Sequence, residues 1–127
     1  QTGQLVNTSG SETGSFDIYT KAANAAMDIK LRIDTLGKPI FLSTVTAGGT
    51  TGNQTINKAS GTVNIAAAGT TVTVTNSLCT ASSIVFAVIR TNDTTASIIN
   101  VVPGAGSFVI NIVACTAETS IGFLVIN

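Results

Sequence analysis

The sequence predicts an all-β protein: an antiparallel, jelly-roll-like β-sandwich head preceded by a short β-hairpin stem. Beyond residue 53, short apolar segments recur at regular intervals between Thr, Ser, Asn and Gly, which is the spacing of a sandwich or barrel. Charged residues make up only 9% of the chain, against about 25% in an average protein. Because only Arg90, Asp93 and Glu118 carry charge after residue 58, we expect residues 1–50 to form a stem and linker, and 51–127 the head.

The first residues predict a linker followed by a strand. Residues 1–14 contain one apolar pair among Gly, Ser and Thr, which indicates a connecting strand or linker. Residues 15–20 alternate apolar and polar side chains and predict a half-buried strand. Residues 21–28 are rich in Ala and predict a loop or a short helix.

A hairpin completes the predicted stem. Apolar and charged residues alternate over 29–34, which predicts a strand with one face in water. The Asp-Thr-Leu-Gly sequence at 34–37 predicts a tight turn, and 39–42 predicts the returning strand. Residues 44–52 are then the joint to the neutral part of the chain.

The head begins with three predicted strands. Val63 with Ile65 and Val72 with Val74 mark the first two, with Gly69 turning between them. The third, at 84–89, is apolar on both faces, so we expect a central strand covered by the core on one side and by a neighbour on the other.

The rest of the head predicts a polar loop, a hairpin and a last strand. Residues 90–95 form the most polar loop. The strands 98–102 and 108–113 are joined by Pro-Gly-Ala-Gly at 103–106, a strong hairpin signal, and 121–126 is again apolar on both faces. We expect the aromatic residues of these strands to lie in the core: Phe86, Phe108 and Phe123.

The scarcity of charge predicts self-association. Apolar surface beyond what one core can use is normally buried between subunits, so we expect copies of the chain to cover part of the head. We expect the strands 84–89, 108–113 and 121–126 to form the core and part of these subunit contacts. The alternative is a neutral, Thr-rich surface that remains fully solvated. The start at Gln1 rather than Met favours a fragment of a longer protein or a processed product.

Several function classes are excluded or disfavoured by composition. The net charge is zero and no basic run is present, so nucleic acid is not an expected partner. The longest unbroken apolar run is Ile84–Ile89, too short to insert into a membrane. The chain has no His, which removes Ser-His-Asp triads and most zinc sites, and nothing in it indicates a cofactor.

Two catalytic arrangements remain possible by residue type, and the sequence supports neither of them well. Asp93 and Glu118 could cleave a glycosidic bond if they were held at the right separation, but they fit better as solvated loop charges or as ion-pair partners of Arg90. Lys58 and Ser60 offer a Ser-Lys pair of a kind that any Ser-rich chain contains. We therefore expect no enzyme.

Two cysteines, Cys79 and Cys115, lie near predicted strand ends. Their number and spacing are not those of a metal site, so the expected state is two buried or half-buried thiols, with a disulfide as the alternative.

The order of the head segments resembles the C-terminal head domain of bacteriophage and prophage tail fibres and tailspikes. The upstream strand, turn and strand are similar to elements of tail-fibre shafts. The resemblance covers roughly residues 51–127. It rests in the head on TGNQTINK at 51–58, GTVNIA at 61–66, VTVTN at 72–76, NVVPG at 100–104, GSF at 106–108 and AET at 117–119, and upstream on GSFDIY at 14–19 and LRIDTLG at 31–37.

The resemblance implies a homotrimer at the distal end of a virion appendage, made in the host cytoplasm. Such heads face the host surface, and many bind a saccharide or another envelope component, whereas others only fold and clamp the trimer. Other tail proteins would contact a missing N-terminal part. The alternative function is a purely structural trimeric component, such as a head fibre or decoration protein, with no receptor.

A receptor site in the head would have to use polar loops, because the chain has no Trp and its head aromatics are expected in the core. Multivalency would compensate for weak binding by each copy. The candidate residues are Arg90, Asn92, Asp93 and Thr94, with Glu118 as a neighbour.

Overall fold

A computed structural model of the chain describes residues 14–20 and 28–127. These residues are all-β and contain no helix, which confirms the all-β part of the predicted fold. The chain divides into two compact units, Gln1–Leu42 and Ser43–Asn127. The predicted linker at 1–13 and the predicted loop or helix at 21–27 lie outside the described residues.

The first unit contains a three-stranded antiparallel sheet of β1 (Phe16–Thr20), β2 (Asp28–Ile33) and β3 (Pro39–Phe41), in that order. The predicted turn between β2 and β3 is confirmed. The Asp34 carboxylate accepts the backbone N–H of Leu36 at 2.8 Å and of Lys38 at 2.9 Å, and Gly37 has a φ of 76°. Glycine takes this left-handed conformation at no steric cost, so the turn can be tight.

The second unit contains eight strands in two four-stranded sheets. The strands are β4 (Ser43–Thr44), β5 (Gln54–Thr55), β6 (Ser60–Ile65), β7 (Thr71–Thr75), β8 (Ile84–Ile89), β9 (Ile98–Gly104), β10 (Ser107–Ile112) and β11 (Thr119–Ile126). The order in one sheet, the β10 sheet, is β5-β7-β10-β9, and the order in the other, the β11 sheet, is β4-β6-β11-β8. Neighbours pair antiparallel, except that β4 runs parallel to β6 and β5 to β7.

Both sheets contribute to one buried core, an arrangement compatible with a β-sandwich. Alternation along β10 buries Phe108, Ile110 and Ile112, as predicted. The rings of Phe108 and Phe123, on β10 and β11, meet edge to face with centroids 5.0 Å apart. The buried apolar residues are Ile56, Val63, Ile65, Val72, Val74, Cys79, Phe108, Ile110, Ile112, Cys115, Ile121, Phe123 and Val125.

The position of β8 corrects the prediction of a central strand. β8 is an edge strand that pairs only with β11 within its sheet. Phe86 is 59% exposed rather than in the core, because it lies on the face of β8 that points away from the other sheet. A strand that is apolar on both faces does not reveal which neighbours cover it, and this ambiguity explains the error.

The second unit begins at Ser43, upstream of the boundary expected at residue 51. β4 adds to the edge of β6, and residues 45–52, which we call the strap, then follow β6. The N–H of Thr46 donates to the Thr62 hydroxyl at 2.8 Å, and the Asn64 side chain donates to the Ala47 carbonyl at 2.9 Å. These bonds explain why polar residues of β6 are buried.

Cys79 and Cys115 are both buried free thiols. The predicted thiol state is therefore confirmed and the disulfide alternative is wrong. Cys115 lies beside the Ala66 carbonyl, with its sulfur 3.3 Å from that oxygen.

Candidate functional site

The loop between β8 and β9, residues 90–97, holds four of the five predicted site residues, and the loop between β10 and β11 holds Glu118. Backbone and hydroxyl bonds bring the loops together. The N–H of Arg90 donates to the Ser120 carbonyl at 2.8 Å, and the N–H of Ser120 donates to the Thr91 hydroxyl at 2.7 Å. The structure therefore places the predicted residues on two adjoining loops.

The carboxylate of Asp93 joins these loops. Oδ1 accepts the Thr95 hydroxyl at 2.6 Å and the Thr95 N–H at 2.8 Å, while Oδ2 accepts the N–H groups of Thr116 at 3.1 Å and Ala117 at 3.2 Å. These hydrogen bonds, the one from the Thr95 hydroxyl foremost, lower the pKa of Asp93 to about 2 because they stabilise the ionised form. Asp93 thus positions the loops through contacts within the chain.

Glu118 also bonds within the chain. Both of its carboxylate oxygens accept the N–H of Gly49 in the strap, at 3.0 and 3.1 Å. Within residues 14–20 and 28–127 of one chain no ion pair links Arg90 to Asp93 or Glu118. An ion pair of these residues between subunits stays a prediction. Arg90, Asn92 and Thr94 are exposed, and they are the predicted residues with side chains open to a ligand.

A second surface lies on the outer side of the β11 sheet, on two of the strands for which the sequence predicted subunit contacts. Ile84, Phe86 and Val88 of β8 point outward and are 60%, 59% and 61% exposed. The register sets Leu124 beside Phe86 and Ile126 beside Ile84. We call Ile84, Phe86, Val88, Leu124 and Ile126 the apolar face. The doubly apolar sequence of 84–89 signalled this surface without indicating which side of the strand would remain uncovered.

A groove of about 530 Å³ adjoins the apolar face. Its floor includes Gly122, which pairs with Val88 on one side and with Thr62 on the other. A Cβ at Gly122 would lie 3.1 Å from the Cδ of Arg90, so the aliphatic part of that side chain passes over the glycine. Phe86 and Val45 also line the groove, and Arg90 supplies its one charged side chain.

The outer side of the β10 sheet is different. Every second residue of β7 is a Thr, namely Thr71, Thr73 and Thr75. The side-chain amide of Asn111 donates to the side-chain oxygen of Asn100 at 2.7 Å across the pair of β10 and β9. Val102 on β9 pairs with Val109 and is 49% exposed, and Ile99 on the same strand is 65% exposed. The two outer faces of one unit therefore differ: the face of the β10 sheet is polar in most positions, whereas the face of the β11 sheet is apolar along β8 and the end of β11.

The described part of the chain contains no cluster of three or more side chains suited to hold a metal ion. None of its elements is a helix long and apolar enough to cross a membrane. No protein-family model matches the chain, and no curated protein or solved structure was found to be similar to it.

Proposed function

We propose that the chain is the C-terminal region of a phage or prophage tail fibre or tailspike that forms a homotrimer and serves in attachment to the host surface. The observation that carries the proposal is the apolar face, which a single chain leaves in water. The sequence resemblance supplies the class of protein. In this proposal the protein is not an enzyme, and it acts on the outside of the virion.

The energetics of the apolar face support assembly. Burying one large apolar side chain contributes about 1.5–3 kcal/mol, and contiguous exposed apolar patches usually mark an interaction site. Ile84, Phe86 and Val88 are adjacent outward positions of one strand, so a single partner surface could cover all three.

The strand order supports a jelly-roll-like sandwich as the finer fold. β6 pairs with β11 and, nested between them in the chain, β7 pairs with β10. The chain also changes sheets between β6 and β7, between β7 and β8, and between β8 and β9. Nested pairing combined with repeated changes of sheet is the pattern of a jelly roll.

The exposed loop residues support a role in attachment. Arg90, Asn92 and Thr94 are open to solvent on a loop that Asp93 fixes, so their positions are defined before a ligand binds. Binding by each copy would rest on a few polar groups, and three copies on one appendage would increase the avidity.

The test is the mass of the folded full chain, measured by light scattering after size exclusion. We expect three times the chain mass of 12.8 kDa. A monodisperse monomer would contradict the proposal. With a trimer in hand, Arg90→Ala combined with Asn92→Ala should reduce binding to host cells, whereas Lys58→Ala, which also removes one positive charge, should not.

A structural trimeric virion component without a receptor is the second candidate. The observation that favours it is that the carboxylates of Asp93 and Glu118 both bond to backbone N–H groups of the same chain. A stable trimer that binds neither host cells nor envelope saccharides would select this function over attachment.

A further inference from the structure

We propose that the apolar face of β8 and β11 is the surface through which the copies of this chain contact one another, with the same face of each copy directed toward a common axis. This inference rests on the proposed function and adds to it the surface and the orientation of the subunits. The occupant of the face is a second copy of this chain.

The chemistry of the face fits a partner as uncharged as itself. Its five residues carry no polar side chain, and the nearest charged group in the groove beside it is Arg90. A partner surface rich in Asp, Glu, Lys or Arg would lose hydration there without gaining a counter-charge. The chain itself, with 9% charged residues, offers the required neutral surface.

The surface carries both exposed side chains and a recess. Phe86 is 59% exposed, and together with Val45 of the strap it also lines the groove of about 530 Å³. The aliphatic part of Arg90 covers Gly122, so the recess is this groove and not the surface over the glycine. A second copy can place its exposed apolar side chains in the groove, which a flat apolar sheet would not allow.

The area is of the size that a subunit contact needs. Large side chains expose about 150–250 Å² when free, so Ile84, Phe86, Val88, Ile126 and the adjoining Val45, which are 45–68% exposed, present on the order of 500 Å² of surface. A stable interface buries about 800 Å² on each partner. The apolar face would supply most of that area, and the walls of the groove could supply much of the rest.

The opposite side of the unit has less need of such a partner. The outer side of the β10 sheet carries Thr side chains and an Asn–Asn hydrogen bond, which water can solvate, although Ile99 and Val102 on its edge strand β9 are 65% and 49% exposed. We therefore expect this side to face outward in the assembly. Because β8 ends at Ile89 and the polar loop begins at Arg90, assembly through the apolar face would also bring three copies of that loop together at one end.

The experiment compares two substitutions of the same kind on the full chain. Val88→Glu puts a carboxylate on the apolar face, and Val102→Glu puts one on the outer side of the β10 sheet, also on an edge strand and also at an exposed valine. Light scattering measures the mass of each variant and of the unchanged chain over a dilution series, and circular dichroism confirms the β fold.

We expect Val88→Glu to raise the concentration at which half of the trimer dissociates by at least about 100-fold, and Val102→Glu to leave it within about threefold. A trimeric Val88→Glu variant with unchanged dissociation would overturn this inference and leave the proposed function standing. A monomeric unchanged chain would overturn both. If Val88→Glu does not fold, Phe86→Ser is measured instead, because it removes an exposed apolar side chain without adding a charge. It should also raise the concentration at which half of the trimer dissociates, and an unchanged value would overturn this inference.

Discussion

At the scale of single residues, the clearest case is Asp93, whose carboxylate accepts hydrogen bonds from Thr95 in its own loop and from Thr116 and Ala117 in the loop between β10 and β11. Its identity as a polar loop residue could be predicted from the sequence. Its partners could not, because Thr116 and Ala117 are brought to it only by the pairing of β8 with β11. The same holds for Glu118 and its partner Gly49 in the strap.

The low pKa of Asp93 predicts a loss of stability in acid. The folded chain holds this pKa at about 2, against about 3.9 in an unfolded chain, so the unfolded state binds the proton more readily. The contribution of Asp93 is complete above about pH 5 and is lost progressively as the pH falls from about 5 to about 1. Thermal unfolding measured across this range should show a falling midpoint.

The variant Asp93→Asn should reduce this dependence on pH and lower the midpoint at neutral pH. Its amide would set a donor against the N–H donors of Thr116 and Ala117. Thr94→Ala, in the same loop but outside these bonds, is the control and should retain the acid dependence. An Asp93→Asn protein as stable as the parent at pH 7 would contradict the role assigned to this carboxylate.

Ala68 offers a stabilising substitution at the same scale. It has a φ of 63° in the turn between β6 and β7, a conformation that costs a residue with a Cβ about 1–2 kcal/mol. Glycine takes it freely but loses about 0.4–1 kcal/mol through greater freedom in the unfolded chain. Ala68→Gly should therefore raise the free energy of unfolding by about 0.5–1 kcal/mol in denaturant titration. Ala67→Gly, at the neighbouring turn position, should lower it instead.

At the scale of elements, the core strands were easier to predict than their neighbours. Alternation along β10 identifies Phe108, Ile110 and Ile112 as one buried face, and the Pro-Gly-Ala-Gly turn identifies the hairpin that β10 makes with β9. The sequence of β8 has no such alternation, so its place at the edge of a sheet depends on long-range pairing with β11. The sequence therefore predicted subunit contacts for this strand without indicating which of its faces would be exposed.

The aromatic contact between the sheets gives a prediction at this scale. Phe108→Ala should lower the free energy of unfolding by about 3–5 kcal/mol, because a fully buried ring is replaced by a cavity. A double-mutant cycle with Phe123→Ala should give a coupling of about 0.5–1.5 kcal/mol from the edge-to-face contact at 5.0 Å. Purely additive losses would show that the rings act only through the area they bury.

At the scale of the whole molecule, the charge asymmetry of the sequence predicted a division of the chain but not its position. The strap residues carry no charge and have the composition of a linker. Their place in the second unit follows from hydrogen bonds to β6 and to Glu118, which join residues far apart in the sequence. Among the residues whose burial the structure describes, those of the buried core belong to this unit as well.

Two truncated chains test where the second unit begins. A fragment of residues 43–127 retains β4, the strap and every buried apolar residue, so we expect it to unfold cooperatively in denaturant. A fragment of residues 51–127 loses β4 and most of the strap, and with them the bonds from Thr46 to Thr62, from Asn64 to Ala47 and from Gly49 to Glu118. At about 0.5–1.5 kcal/mol for each net hydrogen bond, the shorter fragment should be less stable by about 2–4 kcal/mol. Equal stability of the two fragments would show that the strap does not stabilise the unit and that the boundary falls at residue 51. If the longer fragment does not unfold cooperatively, the second unit needs the residues before Ser43.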